Sequence, residues 1–214
     1  MKKVNLLIVT VAALFASNVN AQDNNDLNIA SHVFNVDVPE VALIDIYDSN
    51  TGTEAATIVF DMADATQLGV NAEAGKYAFS ALSYTNLWLN YTSVVATATN
   101  ANGYDLTRQI NVQLEAGSTF PGSLDLRITP TAPALIANGG TTDSAGTVTG
   151  AGVALGVTNA IGVDALLVTS IESVYTGDLA KGVKLTYTLE QNGNFALYRA
   201  GDYSATIKYT LTDI

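Results

Sequence analysis

One histidine, twenty carboxylates and no cysteine bound the chemistry open to this 214-residue chain. A Ser-His-acid triad would have to recruit His32, and no Gly-x-Ser-x-Gly turn frames a candidate serine. Zinc sites are assembled from cysteine and histidine, so a zinc centre is not expected either. Paired carboxylates can hydrolyse glycosides. Here Asp45, Asp48, Asp61, Asp64, Asp105, Asp178 and Asp202 fall mostly in turn-like segments, and aromatic residues make up only 8%, with a single tryptophan. The expectation is a non-enzymatic protein with no catalytic residue and no organic cofactor.

Three short patterns carry weaker signals. Asp48-Ser49-Asn50-Thr51-Gly52-Thr53-Glu54 offers oxygen ligands at intervals around a glycine, which makes Asp48, Asn50 and Glu54 a calcium candidate. The segment is shorter than an EF-hand loop and lacks its distant closing glutamate, and an ordinary turn has the same composition. Asn90-Tyr91-Thr92 is an N-glycosylation triplet, and Asp143-Ser144-Ala145 resembles a short acid-hydroxyl-small acceptor for O-glycosylation in a loop expected to be accessible. Tyr187, Tyr203 and Tyr209 share the apolar parity of the last strands. They serve either as binding platforms or as core residues with their hydroxyls at the rim.

The elements that would hold these residues begin after residue 21. Lys2 and Lys3 precede an apolar run from Leu6 to Phe15, and Val19-Asn20-Ala21 has the small residues of a cleavage site. Residues 1–21 are therefore expected to be a signal peptide, with the protein secreted, periplasmic or at the cell surface. The run is too short for a membrane span, which takes about 20 apolar residues. Removing the leader leaves 7 basic residues against 20 acidic ones, a net charge of −13. Such a balance disfavours nucleic acid and anionic lipid as partners.

Hydrophobicity alternates with period two over most of the remainder. The clearest stretches are Leu106–Leu114, Val183–Glu190 and Tyr203–Leu211. Arg108 sits on the apolar parity of the first, which predicts a place near a strand end. Further strands are expected over Leu27–Val38, Val41–Ile46 (buried on both faces, or a short core crossing), Ala56–Met62, Tyr77–Leu82, Leu87–Thr99, Leu124–Ile128, Val163–Ser170 and Phe195–Tyr198. Pro39 should break the first of these, and Pro130 and Pro133 should end the one at Leu124. Gln191-Asn192-Gly193-Asn194 reads as a hairpin connection. About ten strands without a long amphipathic helix predict an all-β, antiparallel β-sandwich. Residues 22–214 would form one domain, with a flexible Gly/Thr-rich loop at 138–152.

The C-terminal segment, with Phe195-Ala196-Leu197-Tyr198, Ala200-Gly201-Asp202-Tyr203 and the strand to Leu211, resembles the close of cysteine-free fimbrial (pilin-type) and related surface β-sandwich subunits. That resemblance implies an immunoglobulin-like or pilin-like sandwich used for assembly or adhesion. In such fimbriae an N-terminal extension of one subunit completes the sheet of the next. Leu27, Ile29, Val33, Phe34 and Val36 are then the candidate assembly strand, with self-association or other surface subunits as partners. A first strand within the same domain fits these residues equally, and a secreted carbohydrate- or ligand-binding module is the alternative function.

Overall fold

The computed structural model describes residues 31–54, 57–61, 82–96, 105–133, 143–197 and 199–214. The chain divides into two units, Met1–Val38 and Pro39–Ile214. In the first, Ser31–Val38 forms no strand and its side chains are exposed, Val33 at 84% and Phe34 at 81%. The strand expected over Leu27–Val38 is thus absent from its described part. Val33 and Phe34 are adjacent and fall on opposite parities, whereas Phe34, Val36 and Val38 share one.

The second unit is all-β and antiparallel, with ten described strands. These are β1 (Val41–Asp48), β2 (Ser83–Val94), β3 (Arg108–Leu114), β4 (Leu124–Thr131), β5 (Thr147–Val148), β6 (Val153–Gly156), β7 (Ala165–Ile171), β8 (Val174–Tyr175), β9 (Val183–Gln191) and β10 (Ile207–Asp213). One sheet has the order β1-β2-β9-β4-β6, with β8 also paired to β2; the other is β10-β3-β7-β5. Both sheets send side chains into one core. Leu89, Ile128, Leu185 and Tyr187 come from the first, Ile110, Val112, Leu114 and Ile171 from the second. The alternation of β3 and β9 is followed residue by residue, buried positions at every second place.

Several strands differ from their sequence readings, each for a local reason. Among the described strands β1 pairs only with β2, and its outer face is uncovered: Leu43 is 63% exposed while Ile44 and Ile46 pack on the core. An almost unbroken apolar run predicts burial on both faces or a short core crossing, and the strand here is covered on one face. β4 continues through Pro130 to Thr131 rather than ending before the proline. Its pairing with β6 stops at Ile128, so one side of the strand is unpaired where Pro130 falls. Thr57–Asp61 is not a strand, but the expected phase holds: Ile58 and Phe60 pack on the core and Val59 is exposed. Phe195–Leu197 is a 3-10 turn, and β9 and β10 belong to different sheets, so Gln191–Asn194 is not a hairpin loop. β10 starts at Ile207 rather than Tyr203.

The expected strand at Tyr77–Leu82 lies, except for Leu82, outside the described residues, as do 134–142. Where residues 143–152 are described they form a 3-10 turn followed by β5.

Candidate functional site

The calcium candidates sit at the end of β1, where the chain turns at Asp48–Gly52. The Gly52 amide donates to the Asp48 carbonyl at 2.8 Å, and φ at Gly52 is 72°, a left-handed value that glycine adopts without strain. Asp48 is buried, and its carboxylate accepts from the Asn50 amide at 2.9 Å, Thr51 Oγ1 at 3.2 Å and the Tyr84 hydroxyl at 2.8 Å. Burial pushes the Asp48 pKa up. The bonds from Asn50, Tyr84 and Thr51 outweigh it and hold the group below the ordinary 3.8. Asn50 and Glu54 are exposed in the same loop. The Asp48 carboxylate closes its own turn and ties it to Tyr84 on β2.

Other candidates scatter. His32 is exposed in the first unit, in no strand. Leu27 and Ile29 lie outside the described residues, whereas Val33, Phe34 and Val36 are exposed. Ala145 of the O-glycosylation triplet is buried, and its carbonyl accepts from the Tyr91 hydroxyl, so this turn is built into the core rather than free in a loop. The three tyrosines separate. Tyr187 is buried, Tyr209 half-buried, and their hydroxyls hydrogen-bond one another across the two sheets. Tyr203 is exposed, its hydroxyl donating to the Arg199 carbonyl at 3.0 Å.

Three features of the folded unit can engage a partner. The first is a groove of about 240 Å³ lined by Ile44, Ile46 and Leu89 on one side and Ile207 and Tyr209 on the other, with Asp45 at its edge. It lies between β1, which pairs only with β2, and β10, which pairs only with β3 among the described strands. One wall therefore comes from an edge strand of each sheet. At one end of these strands Arg108 draws both sheets together. Its guanidinium is 3% exposed, with Nε donating to Asp213 Oδ1 at 2.6 Å and Nη1 to the carbonyls of Val41 at 2.7 Å and Val94 at 2.9 Å. Arg108 is the first residue of β3, the strand-end position its parity predicts.

The second feature shares the lining residue Ile207 with the groove. It is a cavity of about 710 Å³ whose inner end is formed by buried Leu126, Tyr187 and Leu189 of β4 and β9. The third is the outer face of the larger sheet. Leu87, Leu89 and Tyr91 point inward, so Trp88 points outward, and it is not among the core side chains. Tyr47 on β1 pairs directly with Trp88, as does Lys184 on β9, whose Nζ stands 5.7 Å from the centre of the tryptophan ring. Directly opposed residues of neighbouring strands carry side chains about 5 Å apart, so the three form one row.

Sequence reasoning placed Trp88 in a strand without reading its parity, although the alternation Leu87, Leu89, Tyr91 already assigns it the outer face. Phe120, a lining residue of the cavity, sits in the connection between β3 and β4, and an aromatic residue between Gly117 and Gly122 was the available signal. No family model, curated protein or solved structure matches the chain.

Proposed function

We propose that this is an exported, non-enzymatic structural or adhesive surface protein. Its second unit is an immunoglobulin-like or pilin-like sandwich that assembles by strand addition. The observation that carries the reading is the apolar groove between β1 and β10, two strands from different sheets, each with an unpaired edge among the described strands. Edge strands expose rows of unpaired N–H and C=O groups, and a further strand entering there satisfies them while covering the apolar side chains. The exposed, largely apolar segment Val33–Val38 supplies a strand-length candidate from a second copy. The acidic balance and the leader-like N-terminus agree with export and solubility.

Size-exclusion chromatography with light scattering tests it. The chain without its leader should form concentration-dependent oligomers, and a chain starting at Val38 should remain monomeric. Stable monomers in both cases would rule out assembly through this segment.

A secreted carbohydrate-binding module is the second reading, favoured by the Tyr47–Trp88–Lys184 row on the outer sheet face. A glycan array hit lost in Trp88→Ala would promote it.

A further inference from the structure

The cavity of about 710 Å³ has a different character from the groove beside it. Its volume lies in the range of small-molecule sites, about 300–1,000 Å³. Its inner end is apolar and buried, and three aromatic side chains, Phe60, Phe120 and Tyr203, stand around it. The residues that line it from the solvent side are charged: Asp61, Arg199 and Asp202 are all exposed. Among the described lining residues two carboxylates stand against one guanidinium, a formally negative set within a chain of net charge −11. Asp202 has no hydrogen-bond or ion-pair partner among the described residues. The Tyr203 hydroxyl is held by the Arg199 carbonyl, which anchors that ring at the rim.

We propose that this cavity binds an organic cation with an apolar body, the body seated against Leu126, Tyr187 and Leu189 and the charged head at Asp202 beside the ring of Tyr203. The apolar part gains by leaving water. The head gains twice, from the Asp202 carboxylate and from the negative faces of the aromatic rings, and both attractions reverse for an anion. A neutral molecule of the same shape keeps only the first contribution. The proposal goes beyond the assembly reading and does not depend on it, since these walls belong to one chain.

Three probes with the same decyl chain and different heads test it by isothermal titration at low ionic strength, with the purified chain: decyltrimethylammonium, decanol and decanoate. Decyltrimethylammonium should bind about tenfold or more tightly than decanoate, with decanol between them. Asp202→Asn should narrow that gap without removing decanol binding. Ala205→Phe, at a half-buried position lining the cavity, should abolish binding of all three in a protein whose circular dichroism and melting remain native. Should that variant not fold, the exposed Asp202→Asn carries the test alone. Equal or tighter binding of decanoate overturns the proposal. So does absence of binding by every probe, or a head-group preference that Asp202→Asn leaves unchanged. Ammonium binding that survives in folded Ala205→Phe also overturns it, because the site then lies elsewhere on the acidic surface.

Discussion

The hydroxyls of Tyr187 and Tyr209 hydrogen-bond one another, and through them β9 of the larger sheet is joined to β10 of the smaller one. The contact joins two apolar faces through polar atoms taken out of water. Removing one hydroxyl leaves its partner buried and unsatisfied, whereas removing both leaves an apolar contact. Tyr187→Phe and Tyr209→Phe should each destabilise the protein by about 1–3 kcal/mol. The double variant should lose less than the sum of the two. Urea unfolding of all four proteins measures the cycle.

The same burial shapes the alkaline limb of stability. Desolvation is the first cause holding the phenols of Tyr91, Tyr187 and Tyr209 above their ordinary value of 10.0. Above that value the unfolded chain gives up these protons while the folded chain keeps them, so unfolding is favoured. The stabilisation is fully present below about pH 10 and declines as pH rises toward the folded values. Thermal melts between pH 8 and about 11 should show this fall, and the fall should be shallower in the Tyr187→Phe/Tyr209→Phe double variant.

Acid works with the opposite sign. Asp125 points outward from β4 yet is buried, because residues 157 and 158 cover it. Burial raises its pKa, but bonds from Thr158, Asn192 and Val157 prevail and hold it low, as at Asp48. Stability from both carboxylates is present above the ordinary 3.8 and is lost as pH falls through their lower folded values. Asp125→Ala should cost about 2–4 kcal/mol at neutral pH, since it strands four donors in and beside the turn after β6. It should also flatten the acid limb of a stability-against-pH curve.

Arg108 fastens β1, β2 and β10 to the start of β3. Arg108→Met keeps the stem but leaves the carbonyls of Val41 and Val94 without their donor and Asp213 without its cation. A loss of about 2–4 kcal/mol is expected in urea unfolding. Asp213→Asn should cost less than about 1 kcal/mol, because that carboxylate is 56% exposed and well screened.

Two glycines separate close packing from open surface. A Cβ on Gly182 would lie 2.0 Å from the Leu89 carbonyl oxygen, whereas one on Gly122 meets nothing within 4 Å. Gly182→Ala should force β2 and the start of β9 apart and lower stability by more than about 3 kcal/mol. Gly122→Ala should fall within about 0.5 kcal/mol of the parent. Melting temperatures of the pair make the comparison directly.

Period-two alternation made β3 and β9 legible in the sequence. A strand with one face on a core must alternate, and both strands are central in their sheets. The edge elements were harder. β1 reads as a fully buried run because apolar composition does not record which face of a strand a second layer covers. β5 and β8 are two-residue strands, too short for any periodicity, and exist only because β7 and β2 supply the ladder. Arg108 was legible as an exception, a charge on an apolar parity that had to escape at a strand end.

The candidate sites divided along the same line. Asp48 and its turn could be read locally, because an Asx turn is made by residues two and three positions apart. Phe60, Phe120 and Tyr203 come from segments remote in sequence, and nothing local records that they border one cavity. The chain by itself determined an antiparallel β architecture, because alternating strands and turn residues are set by neighbours along the backbone. Only the tertiary structure decided that β1 and β10 are edges among the described strands, flanking an apolar groove, and that a charged-rimmed cavity opens beside them. Both depend on which strands stop pairing where, and that is settled by long-range packing of the two sheets.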